Sequence, residues 1–161
     1  MEKTKILFIC TGNICRSPAA EAILKTKIHE AALDAHFEID SAGIYNYHEG
    51  ESSDPRMRSA AAARGYMLTS TSRPVTKNDF TYFDWIIDMD DYNTRHLKAM
   101  APDPHASQKI RRITDFCRTR RTDHIPDPYY GGTHGFTHVL DLLEEACDGI
   151  IHTFAPPPEN K

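Results

Sequence analysis

The sequence predicts a single-domain α/β fold, with a central four-stranded parallel sheet flanked by helices on both faces. Short apolar runs alternate along the chain with stretches of helical periodicity, which is the order of βαβ units. The first run, residues 6–9, is apolar on both faces, as expected of a strand that is covered by helices on either side. A chain of 161 residues has the length of one domain.

Four segments have the composition of strands. Residues 6–9 and 37–40 are the first two, and residues 41–43 are expected to end the second. A tryptophan and two isoleucines indicate a third strand within residues 83–89. The fourth, residues 108–113, contains lysine and arginine and is therefore predicted at an edge of the sheet. Ligands of such sheets bind beyond the carboxyl ends of the strands, so a site is expected there.

Four helices accompany these strands. The first has Pro18 near its start, and the second begins at Asp54 and is closed by Gly65 as a C-terminal cap. A third begins at about residue 90 and ends before Pro102. The last helix has the clearest apolar stripe, which is formed by Phe136, Val139, Leu140, Leu143, Cys147 and Ile150.

Composition and net charge limit the classes of partner that the protein is expected to bind. We expect one domain over residues 1–154 and a disordered tail over residues 155–161, which contain three consecutive prolines. A net charge of −4 argues against a general nucleic-acid binder. No apolar run approaches the roughly 20 residues of a membrane span, and no secretory signal is visible. We therefore expect a soluble, cytoplasmic protein that binds neither nucleic acid nor membrane.

Cysteine and histidine usage indicates neither disulfides nor a metal. The four cysteines include no CxxC pair, so free thiols are expected in a protein without a secretory signal. The nine histidines form no metal-binding pattern, and we expect no metal and no other cofactor.

The segment that carries chemistry follows the first strand directly. Cys10 and Arg16 enclose five residues between a strand and the start of a helix. Backbone N–H groups in such a loop can converge into an anion-binding nest, and the helix adds its positive dipole end. Gly12 is expected to ease the turn, and Asn13 tolerates a left-handed backbone. The predicted phosphate-binding residues are Thr11, Gly12, Asn13, Ile14, Cys15, Arg16 and Ser17.

These residue types suit covalent phosphoryl transfer. The fork of Arg16 matches two phosphate oxygens, and its charge favours the thiolate form of Cys10. Ser17 can donate a hydrogen bond to the sulfur and so help it to leave. A thiolate surrounded by oxyanion donors is the arrangement of nucleophilic catalysis on phosphate. The alternative is that Cys10 is a small buried hydrophobe and the Gly12-Asn13 pair an ordinary turn.

The full loop resembles the signature of the low-molecular-weight protein-tyrosine phosphatase family. The resemblance begins with C-x-G-N-I-C-R-S-P and the Ala20-Glu21 pair that follows, and it covers nearly the whole chain. The other matching positions are Ser41, Ala42, Gly43, His48, Gly50, Asp54, Arg56, Arg73, Asp79, Phe80, Phe83, Asp84, Met89, Asp90, Asn93, Asp127, Pro128, Tyr129, Tyr130, Gly131, Gly135 and Phe136.

The resemblance implies the remaining chemical parts. Asp127 is similar to the general acid of the family, which protonates the leaving oxygen and then activates water. Tyr47, Tyr129 and Tyr130 are implied to form an aromatic rim that holds a phenyl ring. The alternatives are that Asp127 is a turn aspartate before proline and that the tyrosines are solvent-facing.

Other family positions imply support for the loop. Asn13, Ser41 and Asp90 are expected to brace it, and Cys15 resembles a second loop cysteine that can trap an oxidised Cys10 as a disulfide. Cys15 could equally pack beneath the loop. Three residues depart from the family pattern, namely Ser70, Pro74 and Asp88.

The predicted activity is hydrolysis of phosphotyrosine through a phosphocysteine, with Cys10 as nucleophile, Arg16 as phosphate clamp and Asp127 as acid and base. The partner is a phosphotyrosine-containing protein, and the protein is expected to be a monomer with at most weak self-association. An arsenate reductase on the same fold is the first alternative, but it needs two further cysteines, and only Cys117 and Cys147 remain. A non-catalytic phosphopeptide-binding module is the second.

Overall fold

The structure is a computed structural model that describes residues 2–119, 121–129 and 133–157. The strands are β1 (Thr4–Cys10), β2 (Phe37–Gly43), β3 (Trp85–Asp88) and β4 (Ile110–Arg112). The α-helices are α1 (Arg16–Glu30), α2 (Pro55–Ala62), α3 (Asp79–Tyr82), α4 (Asp91–Met100), α5 (Pro104–Ser107) and α6 (Thr133–Phe154). Two short 3-10 helices span Asp34–His36 and Ile113–Phe116.

The predicted fold class is confirmed. The four strands form one sheet in the order β2-β1-β3-β4, and the three neighbouring pairs are all parallel. The strand β1 is central, and its residues from Ile6 to Cys10 are all buried. The strand β4 lies at an edge, as the lysine and arginine of that segment predicted.

Helices cover both faces of the sheet because side chains alternate along β1. Ile6 and Phe8 point into a core that includes apolar side chains of α1, α2 and α6. Leu7 and Ile9 point into a second core, which α3, α4 and α5 cover. This second core is smaller, since it rests on three short helices.

The end of β2 differs from the prediction. Residues 41–43 were expected to end this strand, but they belong to it and pair with Phe8, Ile9 and Cys10 of β1. The parallel register keeps both strands together up to the same edge of the sheet. Ser41 is therefore held beside the loop that follows Cys10 rather than in a turn.

Individual residues explain where α2 begins and ends. The Asp54 side chain accepts a hydrogen bond from Arg56 N, and Pro55 occupies the first turn of α2. After α2, Gly65 adopts a φ of 89°, and the N–H groups of Gly65 and Tyr66 return to the carbonyls of Ala62 and Ala61. This is the expected glycine closure in its Schellman form.

The helix α6 carries the apolar stripe predicted for it, and all six stripe residues are buried. Within the described ranges, no helix combines the length and apolar character needed to cross a membrane. The predicted tail begins after Phe154, where α6 ends, and residues 158–161 of it lie outside the described residues.

Candidate active site

The loop between β1 and α1 lies at the carboxyl edge of the sheet. Cys10 is the last residue of β1 and Arg16 is the first residue of α1. The chain that leaves β2 runs beside this loop, because Ile44 N and Tyr45 N donate to the carbonyls of Cys10 and Thr11 at 3.0 and 3.1 Å. The chain that follows β2 therefore supports the loop through backbone hydrogen bonds.

The sulfur of Cys10 lies beside a hydroxyl group. Cys10 is 3% exposed, and its Sγ lies 3.0 Å from Ser17 Oγ. Asn13 Nδ2 donates to the same Ser17 oxygen at 2.7 Å, so the hydroxyl proton is available to another acceptor. The carbonyl of Ala42 is a more distant alternative at 3.5 Å. The shorter distance favours donation from Ser17 to the sulfur.

Asn13 holds the loop in its strained conformation. It has a φ of 58°, in the left-handed region that asparagine tolerates. Its Nδ2 also donates to Ser41 Oγ at 3.0 Å, and its Oδ1 accepts from Arg73 N at 3.0 Å. Ser41 in turn donates to Glu21 of α1 at 2.6 Å. Asn13 thus ties the loop to β2, to α1 and to the segment that carries Arg73.

Arg16 is the most enclosed charge of the site. Its side chain is 2% exposed, and Nη1 donates to Asp90 Oδ2 at 2.7 Å and to the Ile125 carbonyl at 2.8 Å. Nη2 donates to Thr11 Oγ1 at 3.2 Å. Both protons of Nη1 are used, which leaves the Nε–Nη2 edge for an oxyanion.

The electrostatics of the loop favour a charged Arg16. Burial opposes the charge, but Cys10, Asp90 and Asp127 outweigh it and hold the pKa of the guanidinium above its ordinary value. Asp90 also caps α4, because its Oδ1 accepts from Asn93 N at 2.8 Å. Asp90 was expected to brace the loop, and the structure joins it directly to Arg16.

Asp127 approaches the loop from a different part of the chain. Its Oδ2 lies 3.6 Å from Arg16 Nη2, and its Oδ1 accepts from Tyr129 N at 3.0 Å. Its side chain is 44% exposed, in contrast to that of Arg16. The preceding segment is held by the backbone of Ile125, whose N–H donates to the Met89 carbonyl at 2.8 Å.

These groups line one cleft of about 200 Å³. Cys10, Arg16 and Asp127 all contribute to its wall, and the remaining lining residues are Thr11, Gly12, Ile14, Cys15, Tyr45, Tyr47, His48 and Tyr129. The structure thus brings together the three predicted catalytic residues, five of the predicted loop residues and two of the three predicted rim tyrosines. The third, Tyr130, lies outside the described residues.

Four aromatic side chains border the cleft. Tyr47 is 75% exposed, and its ring centroid lies 5.0 Å from that of Tyr45. The rings of His48 and Tyr129 form a second pair, 6.2 Å apart. Arg56 Nη2 donates to the Tyr129 carbonyl at 2.9 Å and so helps to position Tyr129, which follows Asp127 by two residues.

The position of Gly12 has a different reason from the one expected. Gly12 does not adopt a positive φ. A Cβ placed on it would lie 3.2 Å from His48 Cδ2, which is tighter than an ordinary contact. Glycine at this position therefore makes room for the rim rather than for the turn.

Cys15 lines the cleft and is also packed beneath the loop, with 4% exposure. Burial, followed by the negative charge of Asp54, raises the pKa of its thiol. The thiol form is therefore favoured at Cys15.

Several supporting residues were not identified from the sequence. Tyr45, His48 and Glu21 were given no role, although the last two are part of the matching motifs. Ser72, also without a predicted role, donates from its Oγ to the Gly12 carbonyl at 3.0 Å. Asn93, one of the matching positions, donates from its Nδ2 to Thr11 Oγ1 at 3.2 Å. Only the folded chain brings such distant polar residues to the loop.

Two of the family departures leave the loop intact. Pro74 forms an isolated bridge with Gly43, beside the bond from Gly43 N to the Arg73 carbonyl. Ser70 lines a shallow cleft with Pro18 and Glu21, and no described contact joins it to the loop. Asp88 enters a buried ion pair with Arg112.

The other two cysteines lie away from the cleft. Cys147 of α6 is fully buried, and its Sγ lies 3.7 Å from the Ala20 carbonyl. Cys117 Sγ lies 3.8 Å from the Leu142 carbonyl. All four cysteines are free of disulfides. In the described part of the chain, no three His, Cys, Asp or Glu side chains are grouped to hold a metal ion.

The fold and the site define an α/β domain with a parallel sheet, in which a Cys-x5-Arg loop joins the central strand to the first helix at the carboxyl edge. The family model described as low molecular weight phosphotyrosine protein phosphatase matches residues 5–156. This chain belongs to that family.

Individual relatives agree over most of the chain. A Synechocystis protein named for the same family is 44% identical over 147 residues, which are 91% of this chain and 94% of its own length. A crystal structure of a protein tyrosine phosphatase from Entamoeba histolytica, with Hepes in its active site, is 48% identical with a TM-score of 0.91. The similarity covers 94% of this chain and 96% of that one. A structure described as a Drosophila arginine phosphatase is 30% identical with a TM-score of 0.88, covering 96% and 99%.

Proposed function

We propose that this protein hydrolyses phosphotyrosine in protein substrates through a phosphocysteine intermediate. The observation that carries the proposal is that Cys10, Arg16 and Asp127 line the same small cleft under an aromatic rim. The family membership and the names of the relatives support the reaction class.

In the first step, Cys10 Sγ attacks phosphorus in line with the tyrosyl oxygen. The P–S bond forms while the P–O bond breaks, and Asp127 transfers its proton to the departing phenolate oxygen. Arg16 and the backbone N–H groups of residues 11–16 hold the equatorial oxygens. Because Asp90 and Ile125 occupy Nη1, Arg16 presents its Nε–Nη2 edge to the phosphate.

In the second step, water attacks the phosphocysteine. Asp127, now a carboxylate, takes a proton from the water as the P–O bond forms and the P–S bond breaks. The electron pair returns to sulfur as a thiolate, which Ser17 stabilises from 3.0 Å. Asp127 is suited to both steps because its carboxyl borders the cleft yet stays 44% exposed to solvent.

The rim supports an aryl substrate. Tyr47 and Tyr129 both line the cleft and can contact a phenyl ring, each contact contributing about 0.5–1.5 kcal/mol beyond buried area. We extend the same role to Tyr130, on the resemblance alone. A phosphoserine side chain is shorter and would not carry its phosphate from the rim to Cys10.

Cys15 is proposed as a partner of oxidised Cys10, since both cysteines line the cleft. We expect peroxide to inactivate the enzyme and a dithiol to restore it, through a Cys10–Cys15 disulfide. The measurement is recovery of activity after matched peroxide and dithiol treatments. Equal recovery in a Cys15→Ser variant would remove this role.

The alternatives fit less well. A thiol relay for arsenate reduction needs cysteines that can reach Cys10, yet Cys147 is fully buried beneath α1. A binding module has no use for a carboxyl placed as Asp127 is. We further propose a cytoplasmic, monomeric protein, in agreement with its unbridged cysteines.

The deciding experiment compares four reactions of the purified protein without added metal. Hydrolysis of para-nitrophenyl phosphate and of a phosphotyrosine peptide is expected, with much slower release from matched phosphoserine and phosphoarginine peptides. Preference for phosphoarginine would instead align the protein with the arginine phosphatase structure. Arsenate-dependent thiol oxidation would favour the reductase, and phosphate binding without turnover the binding module.

A further inference from the structure

A buried ion pair at the sheet edge lies behind the active site. Asp88, the last residue of β3, is fully buried, and Arg112 Nε of β4 donates to its Oδ1 at 2.7 Å. Thr94 of α4 donates to the other oxygen at 2.5 Å. Asp88 is one of the three positions that depart from the family pattern.

The Arg112 guanidinium connects three parts of the chain. Its Nη2 donates to Asp91 Oδ1 and to Thr94 Oγ1, both at 2.8 Å, at the start of α4. Its Nη1 donates to the carbonyl of Asp123. One side chain thus joins β3, the first turn of α4 and the segment that leads to Asp127.

Both ends of this connection lead to the active site. Asp90, adjacent to the Asp91 that Arg112 holds, pairs with Arg16 at 2.7 Å. Ile125, two residues after Asp123, accepts from Arg16 Nη1 at 2.8 Å. The acid segment, residues 123–129, is therefore held by Arg112 at the Asp123 carbonyl and by Arg16 at the Ile125 carbonyl.

A gain in stability does not by itself explain the buried Asp88–Arg112 pair. Removing two charges from water costs several kcal/mol per ion, and apolar replacements of buried pairs are often neutral or stabilising. Burial also raises the pKa of Asp88 to about 6, although Thr94 and Arg112 act in the opposite direction. A costly pair with three structural partners is better suited to specifying a position than to adding stability.

We propose that Arg112 is a positioning residue for proton transfer: by holding the Asp123 carbonyl against the first turn of α4, it sets the place of Asp127 over Cys10 and Arg16. The proposal rests on the proposed function, because it assigns Asp127 as the acid. Arg112 itself does not touch the substrate.

The test is the dependence of kcat/KM on the leaving group, which reports formation of the phosphocysteine. In Arg112→Gln, kcat/KM for phenyl phosphate should fall about 10-fold, and for para-nitrophenyl phosphate about 2-fold or less, because nitrophenolate needs little protonation. The inhibition constant of inorganic phosphate should change less than about 2-fold, since Arg16 keeps Asp90 and Ile125. An equal fall for both substrates, or no fall, overturns the proposal.

A double-mutant cycle separates positioning from a merely structural role. In an Asp127→Asn background, Arg112→Gln should cause no further change in leaving-group dependence, because the group that Arg112 positions is already absent. Additive losses overturn the proposal. Should Arg112→Gln fail to fold, Arg112→Lys takes its place, since an ammonium retains the charge beside Asp88 without the fork that reaches Asp91 and Asp123.

A matched control is available in the chain. Arg64 makes a similar pair of contacts, with Asp141 and Glu144 of α6, away from the acid segment. Arg64→Gln should leave the leaving-group dependence unchanged. If Asp127→Asn steepens that dependence and Arg112→Gln does not, the positioning role fails while the proposed function stands. If the wild-type protein hydrolyses neither substrate, the proposed function itself fails.

Discussion

The nucleophile loop and the acid segment meet in one cleft but are built in opposite ways. Asn13 and Arg16 are nearly inaccessible, and each side chain makes three hydrogen bonds, two of them to residues outside the loop. Asp127 lies on a segment without regular secondary structure, its side chain is 44% exposed, and one backbone N–H holds its carboxyl.

The difference follows from the tasks of the two regions. An oxyanion cradle lowers a barrier only if its donors are in place before charge develops, so the loop must be rigid. The acid must admit a substrate, protonate its leaving oxygen and then exchange a proton with water. A buried, immobile carboxyl could not perform these steps in sequence.

Loss of the nucleophile should have the largest effect on activity. Cys10→Ser should reduce turnover to background for every aryl phosphate, because a serine hydroxyl in this loop has no base to activate it. Phosphate binding should persist, since Arg16 and the backbone remain. Turnover is followed by para-nitrophenol release and binding by calorimetry, and residual turnover above background would contradict the nucleophile assignment.

Removing the acid should be more selective. Asp127→Asn keeps the shape of the side chain but cannot transfer the proton, so kcat/KM for phenyl phosphate should fall about 100-fold or more. The fall for para-nitrophenyl phosphate should be much smaller. A series of substituted phenyl phosphates measures this, and a fall that is equal across the series would rule out Asp127 as the acid.

Weakening the supports should distinguish the two regions. Asn13→Ala removes the amide that donates to Ser17 and Ser41 and accepts from Arg73 N, and it places alanine at a φ of 58°. We expect a loss of about 2–4 kcal/mol in the free energy of unfolding, together with lower activity on all substrates. Urea denaturation and kcat/KM check both.

The counterpart that supports the segment of Asp127 is Arg56→Gln in α2, which removes the contact to the Tyr129 carbonyl at 2.9 Å. Arg56 is itself exposed but also pairs with the buried Asp54 carboxylate, so the urea midpoint should fall, although by less than in Asn13→Ala. Activity on phenyl phosphate should fall more than activity on para-nitrophenyl phosphate. Equal effects of the two substitutions on stability would mean that the regions are not built differently.

The smallest expected effect is a pH dependence of stability that arises from the Asp88–Arg112 ion pair. The pKa of Asp88 is about 6 in the folded protein against 3.8 ordinarily, mainly because of burial, so the folded state binds this proton more tightly. Its contribution to stability is therefore full below pH 3.8 and is lost as the pH rises through about 6.

An Asp88→Asn variant lacks this titration. Between pH 7 and pH 4, the wild type should gain on the order of 1–3 kcal/mol in unfolding free energy relative to the variant. Parallel urea denaturation of both proteins over this range measures the gain. A constant difference would show that folding does not raise the pKa of Asp88.

Much of the fold could be predicted from local patterns. The alternation of apolar runs with helical periods identified the four strands, and the basic residues of the segment 108–113 placed β4 at the edge. The short helices α3 and α5 were not predicted, because four residues carry too little periodicity. The continuation of β2 through Gly43 was also missed, since it depends on pairing with β1.

The sequence by itself determined the nucleophile loop, because Cys10, Asn13, Arg16 and Ser17 are neighbours whose spacing already specifies a strand-loop-helix cradle. Tertiary structure alone decided how that cradle is supported and completed. Asp90, Ile125 and Asp127 reach Arg16 from 74 to 111 positions further along the chain, and Arg112 reaches the acid segment from an edge strand. Contacts over such separations depend on packing around a common sheet, and no local pattern encodes them.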